Sequence, residues 1–183
     1  MPAVELKLER LERLVGKKLD IDQLQYDLQW IALDVDSFNK EEQTIKVEYS
    51  PNRPDFASPE GIARALQGYY ELKMGLPQFN IVDGPEVMHV DAKVRKVRPY
   101  VVCGVVRDID LDDDEVRTMM NIQEDLHWAI GRDRRKVAIG IHDYDQVRGP
   151  YRYTTVKPDG VRFRPLHMEA YEMTPKEILE EHD

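Results

Sequence analysis

Apolar and polar positions alternate over residues 3–8, the spacing of a short strand. The period then lengthens. Leu11, Leu14 and Val15 fall on one helical stripe, which Gly16 stops. Asp20 can cap a second helix, whose Ile21, Leu24, Leu28 and Ile31 recur at three- and four-residue spacing. Residues 33–38 and 44–49 read as strands around the polar turn 39–43. Ser58, Pro59 and Glu60 read as N-cap, N1 proline and acidic first turn of a third helix. That helix turns Ile62, Ala65, Leu66 and Tyr69 inward and ends near Gly75. Residues 75–86 have the composition of a linker. Beyond it, the pattern predicts strands at 87–94 and 100–111. A long helix follows over 112–130, with Met119, Ile122, Leu126 and Ala129 on one face and Gly131 closing it. Residues 136–141 are apolar on both faces, as in a central strand, and 151–156 are a further strand. Thr174-Pro175-Lys176-Glu177 is a capping box that starts a last helix. These elements imply an α+β protein of two small mixed α/β domains, residues 1–80 and 87–183, each with a mixed sheet flanked by helices.

The stretch before the third helix is unusually stiff. Pro51 fixes one φ angle, and Pro54 pushes Arg53 out of the helical region. The backbone there is expected to be extended and to present Arg53 and Asp55. A rigid loop feeding a cleanly started helix suggests a fixed junction between parts of a larger assembly.

Composition narrows the class. The chain has 183 residues, 42% of them hydrophobic and 33% charged, enough to bury a core beneath a water-facing surface. No apolar run nears the roughly 20 residues that span a bilayer, and the first residues lack the apolar segment of a signal peptide. The single cysteine, Cys103, rules out an internal disulfide or a cysteine zinc cluster. Its valine neighbours make a buried strand thiol the expectation. A cytoplasmic protein fits these features. The net charge of −9 argues against a generic nucleic-acid binder. Yet residues 132–164 hold nine basic against four acidic side chains, and the last 19 hold one against six. The basic stretch is either a focused phosphate contact or a solvated rim balancing acidic helices.

Few residues suggest chemistry. His142 closes the strand expected at 136–141 and shares its face with Ala138 and Gly140, leaving room beside an imidazole. Asp143 and Asp145 could orient the ring. The site is then a pocket floor, or a strand-end histidine beside a turn aspartate. Arg132, Arg134 and Arg135 follow the long helix. They either hold a nucleic-acid phosphate or ribose, or satisfy the helix's last carbonyls. Asp112, Asp113 and Asp114 suit a helix start better than a cation site, and no metal is predicted. His89, His127, His167 and His182 show no ligand spacing. No nucleophile signature, phosphate-cradling glycine loop or HExxH is present.

Two long motifs carry a resemblance. YSPNRPDFASPEGIARAL, from Tyr49, resembles the signature near the N-terminus of the phenylalanyl-tRNA synthetase β subunit, and QEDLHWAIGRDRRKVAIGIHDYDQV, from Gln123 to Val147, followed by GPYRYT from Gly149, is similar to its archaeal and eukaryotic branch in particular. The family subunit is much longer than this chain. The resemblance therefore implies an N-terminal piece, with residues 87–183 an incomplete editing-type domain truncated at its C-terminus. It implies an α2β2 enzyme in which a partner α subunit, ATP and Mg2+ charge tRNA(Phe). It also implies hydrolytic editing of Tyr-tRNA(Phe), with His142 carried over as an editing-pocket residue. Arg132, Arg134 and Arg135 become tRNA contacts, and Arg53 and Asp55 the junction of a structural, docking first domain. No cofactor is implied for this piece, which is expected not to catalyse alone. The competing readings are a free-standing aminoacyl-tRNA deacylase and a non-catalytic interaction module.

Overall fold

The computed structural model describes residues 2–166, 168 and 171–181. His167 and His182 lie outside the described residues. The chain is α+β and divides into two units. One is Met1–Asn80 with Asp108–Ile141, the other Ile81–Arg107 with His142–Asp183.

The first unit is built on an antiparallel sheet in the order β1 (Ala3–Lys7), β3 (Thr44–Glu48), β2 (Asp34–Asn39). Leu6 pairs with Ile45 and Val4 with Val47, so the apolar residues of the alternating strands share one face. A bulge between Val35 and Ser37 shifts the β2 register. Helix α1 (Leu8–Val15) buries Leu11 and Val15, one turn apart, and ends on Gly16 at φ 83°, the left-handed cap that glycine favours. Helix α2 (Ile21–Trp30) starts where the Asp20 carboxylate accepts from the Gln23 N–H at 3.0 Å. Leu24, Leu28, Leu33, Ile45, Phe56, Ile62 and Leu66 complete the core. Each such fully buried side chain contributes about 2 kcal/mol.

The proline-rich stretch departs from the extended form expected. Arg53 N–H bonds the Ser50 carbonyl at 2.8 Å, and Pro54–Ala57 wind into a 3-10 turn that buries Phe56. Proline's fixed φ suits such a turn as well as an extended strand. Ser58 then accepts from the Gly61 N–H at 3.1 Å and starts helix α3 (Pro59–Tyr69). A Cβ on Gly61 would overlap the Asp55 carbonyl oxygen, so helix and turn meet at that contact. Helix α3 stops at Tyr69, short of Gly75, because Glu71 enters the left-handed region at φ 57° and its N–H returns to the Gly68 carbonyl. Ala63 is buried, and Tyr69 is more exposed than its predicted inward place.

Helix α4 (Asp113–Trp128) also belongs to the first unit, although its place in the chain puts it within residues 87–183. Asp112 and Glu115 form a reciprocal capping box, so the acidic run caps the helix. Lys7 Nζ reaches Asp114 at 2.7 Å and the Tyr49 hydroxyl donates to Asp125 at 2.9 Å. Thr118 and His127 are its buried residues. Met119, Ile122 and Leu126 of the predicted apolar face are half-buried, and Ala129 is exposed.

The second unit holds a short parallel pair, β4 (Met88–Val90) with β5 (Tyr151–Tyr153), in which Met88 faces Tyr151 and Val90 faces Tyr153. A 3-10 turn over Ala92–Lys96 follows β4, capped by Asp91. Helix α5 (Pro175–Glu181) begins at Thr174, whose N–H and hydroxyl both bond Glu177. The strands expected at 100–111 and 136–141 are not formed, and those at 87–94 and 151–156 are shorter than expected. A strand exists only where another edge takes its N–H and carbonyl groups. Among the described residues no such edge meets 100–111 or 136–141. Cys103 is exposed there, against the buried thiol expected.

Candidate nucleic-acid interface

At the C-terminal end of α4 the chain makes a tight basic turn. Arg132, Asp133 and Arg134 all take left-handed conformations, at φ 48°, 55° and 59°. The turn's own amides answer the carbonyls that the helix leaves open. Gly131 N–H bonds Leu126 O at 2.9 Å, Arg134 N–H bonds His127 O at 3.2 Å, and Lys136 N–H bonds Gly131 O at 2.7 Å. The guanidinium groups are therefore not what satisfies these carbonyls.

The three arginines differ. Arg134 pairs with the Glu124 carboxylate, one of its bonds being 2.6 Å to Oε2. That pairing, Arg134 first, holds the Glu124 carboxyl below its ordinary range. Arg132 and Arg135 are exposed and make no ion pair among the described residues, as does Lys136 beside them. The result is two guanidinium groups and an ammonium on a preformed backbone, braced by a third arginine. Such donors suit phosphate oxygens.

Arg53 and Asp55 bond each other. Arg53 Nε and Nη2 donate to the two Asp55 oxygens at 2.9 and 2.7 Å, and the guanidinium lies 3.7 Å over the Phe56 ring. Arg53 pulls the Asp55 carboxyl below its ordinary range, and both side chains are about half exposed. His142 is exposed on irregular backbone. Without a strand at 136–141, the alternation that would set it beside Ala138 and Gly140 does not apply. Asp143 is engaged in its own turn, its carboxylate accepting from the Asp145 N–H at 3.0 Å. Among the described residues no hydrogen bond reaches the His142 ring.

The sequence pattern gave no notice of two further features. In the second unit, Glu86 accepts from the Tyr144 hydroxyl at 2.6 Å and pairs with Arg107, whose guanidinium lies 4.8 Å over the Tyr144 ring. In the first, the Asp27 carboxylate is buried beneath two tyrosine hydroxyls. Among the described residues no three His, Cys, Asp or Glu side chains gather as a metal site. No helix among them is long and apolar enough to cross a membrane.

No family model matches the chain. The whole chain is 42% identical over 183 residues to the phenylalanine–tRNA ligase beta subunit of Methanosphaera stadtmanae, of which it covers 32%. It is 44% identical over 184 residues to that of Methanothrix thermoacetophila, of which it covers 33%. Its fold matches the crystal structure of an N-terminal fragment of the phenylalanyl-tRNA synthetase beta subunit from Pyrococcus horikoshii. There the TM-score is 0.89 at 32% identity, over all of this chain and 53% of that one. The chain thus spans about a third of the length of the curated relatives it matches.

Proposed function

We propose, because this chain belongs with the N-terminal part of phenylalanine–tRNA ligase beta subunits, that it is the N-terminal part of such a subunit and works inside the whole ligase. Similarity along the entire chain carries this reading. In it, a partner α subunit charges tRNA(Phe) with phenylalanine using ATP and Mg2+, in an α2β2 cytoplasmic enzyme. Residues 1–80 serve as the docking part, with the Arg53–Asp55 pair as a junction contact. Residues 87–183 contribute to a domain that hydrolyses Tyr-tRNA(Phe).

The chain's own residues have two tasks in this scheme. Arg132 and Arg135 meet tRNA phosphates from the basic turn, with Arg134 bracing it. His142 presents an imidazole, unpartnered among the described residues, to the tyrosine hydroxyl in the editing pocket. A site built to pair a hydroxyl rejects the ligand that lacks it, because its polar group is then left without a partner. Phenylalanine is spared on that account.

The test uses the complete subunit co-expressed with its α partner. His142→Ala should let Tyr-tRNA(Phe) persist while charging with phenylalanine is kept. Rapid loss of Tyr-tRNA(Phe) in that variant would remove His142 from the pocket. Arg132→Ala and Arg135→Ala should each lower the slope of log affinity for a tRNA(Phe) transcript against log salt by about 1, the signature of one phosphate contact. Unchanged slopes would remove the turn from the tRNA surface. Release of tyrosine from Tyr-tRNA(Phe) by the 183-residue chain alone would favour a free-standing deacylase instead.

A further inference from the structure

His127 lies in the last turn of α4 and is almost wholly buried. Its Nε2 accepts from the Ile139 N–H at 2.7 Å. Its Nδ1 faces Glu124 Oε1 at 3.4 Å, without hydrogen-bond geometry, and has no other partner among the described residues. A ring nitrogen that accepts a backbone proton must itself be bare, so the imidazole proton sits on Nδ1. Arg134 keeps Glu124 ionised, and an ionised carboxylate only accepts. The Nδ1–H therefore lies 3.4 Å from a carboxylate oxygen of Glu124.

The segment between α4 and Ile139 is the basic turn. His127 grips it twice. Its carbonyl accepts the Arg134 N–H, and its ring accepts the Ile139 N–H. Gly131 packs so closely that a Cβ would overlap the His127 carbonyl oxygen and lie 2.7 Å from that of Val137. Among the described residues the charged groups facing the ring are Glu124 on its own helix and, through Glu124, Arg134 from the turn. The Arg134–Glu124 pair is about half exposed, and such pairs alone hold weakly.

We propose that His127 is a positioning residue: as its Nδ1–H tautomer it clamps residues 131–139 to α4 and thereby fixes where Arg132 and Arg135 point. The clamp is read from geometry. Its consequence for RNA rests on the reading of the turn as a tRNA contact.

The experiment compares the full chain with His127→Gln and His127→Phe. Glutamine carries a carbonyl oxygen near the place of Nε2, whereas phenylalanine keeps the ring shape without an acceptor. Long-range 1H–15N spectra should show the Nδ1–H tautomer in the parent chain. Amide exchange at Ile139 should quicken by about fivefold in His127→Phe, the loss of one hydrogen bond, and return toward the parent rate in His127→Gln. Affinity for a tRNA(Phe) transcript should fall several-fold in His127→Phe and recover in His127→Gln. An Nε2–H tautomer, or exchange over 131–141 unchanged by His127→Phe, overturns the clamp. If the Arg132→Ala/Arg135→Ala double variant loses RNA binding while His127→Phe does not, the positioning role is overturned. If neither loses it while exchange quickens, the tRNA reading of the turn fails and the clamp stands. Should His127→Phe not fold, the parent tautomer and the exchange rates of His127→Gln decide.

Discussion

Tyr49 sits at the end of β3, buried, with its hydroxyl donated to Asp125. Burial first, and that carboxylate second, push its ionisation up to about 12 from 10.0. An acid whose folded pKa lies above its unfolded one binds its proton more tightly when folded. The stability it adds is therefore whole below about pH 10 and is lost as the pH rises from there to about 12. Tyr49→Phe should cost about 1 kcal/mol at neutral pH, and its gap from the parent in urea unfolding should narrow above pH 10. Glycines in α3 give a second test. Gly61 faces the Asp55 carbonyl, while Gly68 has open space where its Cβ would be. Gly68→Ala should add about 0.5–1 kcal/mol, and Gly61→Ala should cost about 2 kcal/mol. Calorimetric melting points moving in opposite directions would show this. The cap at Ser58 was readable because capping is local. The need for glycine three residues later was not, because the clash comes from a turn whose shape the sequence pattern does not give.

Among the elements, α2 and α3 are joined by a polar tie as well as by their apolar faces. The Asp27 carboxylate accepts from Gln23 Nε2 at 2.8 Å, Tyr70 at 2.7 Å and Tyr69 at 3.3 Å. Burial, then Asp27 itself, pushes the Tyr70 hydroxyl's ionisation up. Asp27→Ala strands a half-buried hydroxyl and should cost about 2–3 kcal/mol in chemical unfolding. A change within 0.5 kcal/mol would mean water replaces the carboxylate. Asp27 was missed because an acid between Leu24 and Leu28 reads as part of the wet face until the tyrosines that cover it are known. The elements of residues 1–80 were legible for a general reason: each apolar stripe finds its complement within that stretch. Residues 100–111 have strand composition but no described edge to pair with, so composition did not become a strand. His142 lost its expected setting with the strand at 136–141. His127 escaped notice because its ring accepts a hydrogen bond from the amide of a residue twelve positions on, a pairing no local spacing reveals.

At the scale of the molecule, charge asymmetry was the informative average. The net charge of −9 hides the basic residues after 131, and the turn gathers several of them at the end of one helix. Domain boundaries were less legible. A linker near residue 80 fits the composition, and the first unit's first segment ends at Asn80, but the chain comes back to that unit at Asp108 and leaves again after Ile141. Returning segments leave no compositional mark, because α4 reads as an ordinary amphipathic helix wherever it docks.

That return changes what a protease can do. Cleavage within 75–84, an exposed stretch without regular structure, severs the backbone yet leaves Lys7 bonded to Asp114 and Tyr49 to Asp125 across the two products. The nicked chain should elute at its uncut size and separate only in denaturant, and the two purified pieces should reassociate on mixing. Reassociation would make it a split protein that complements itself, and a gene cut at the same point would yield an amino-terminal half without the helix that carries Asp114 and Asp125.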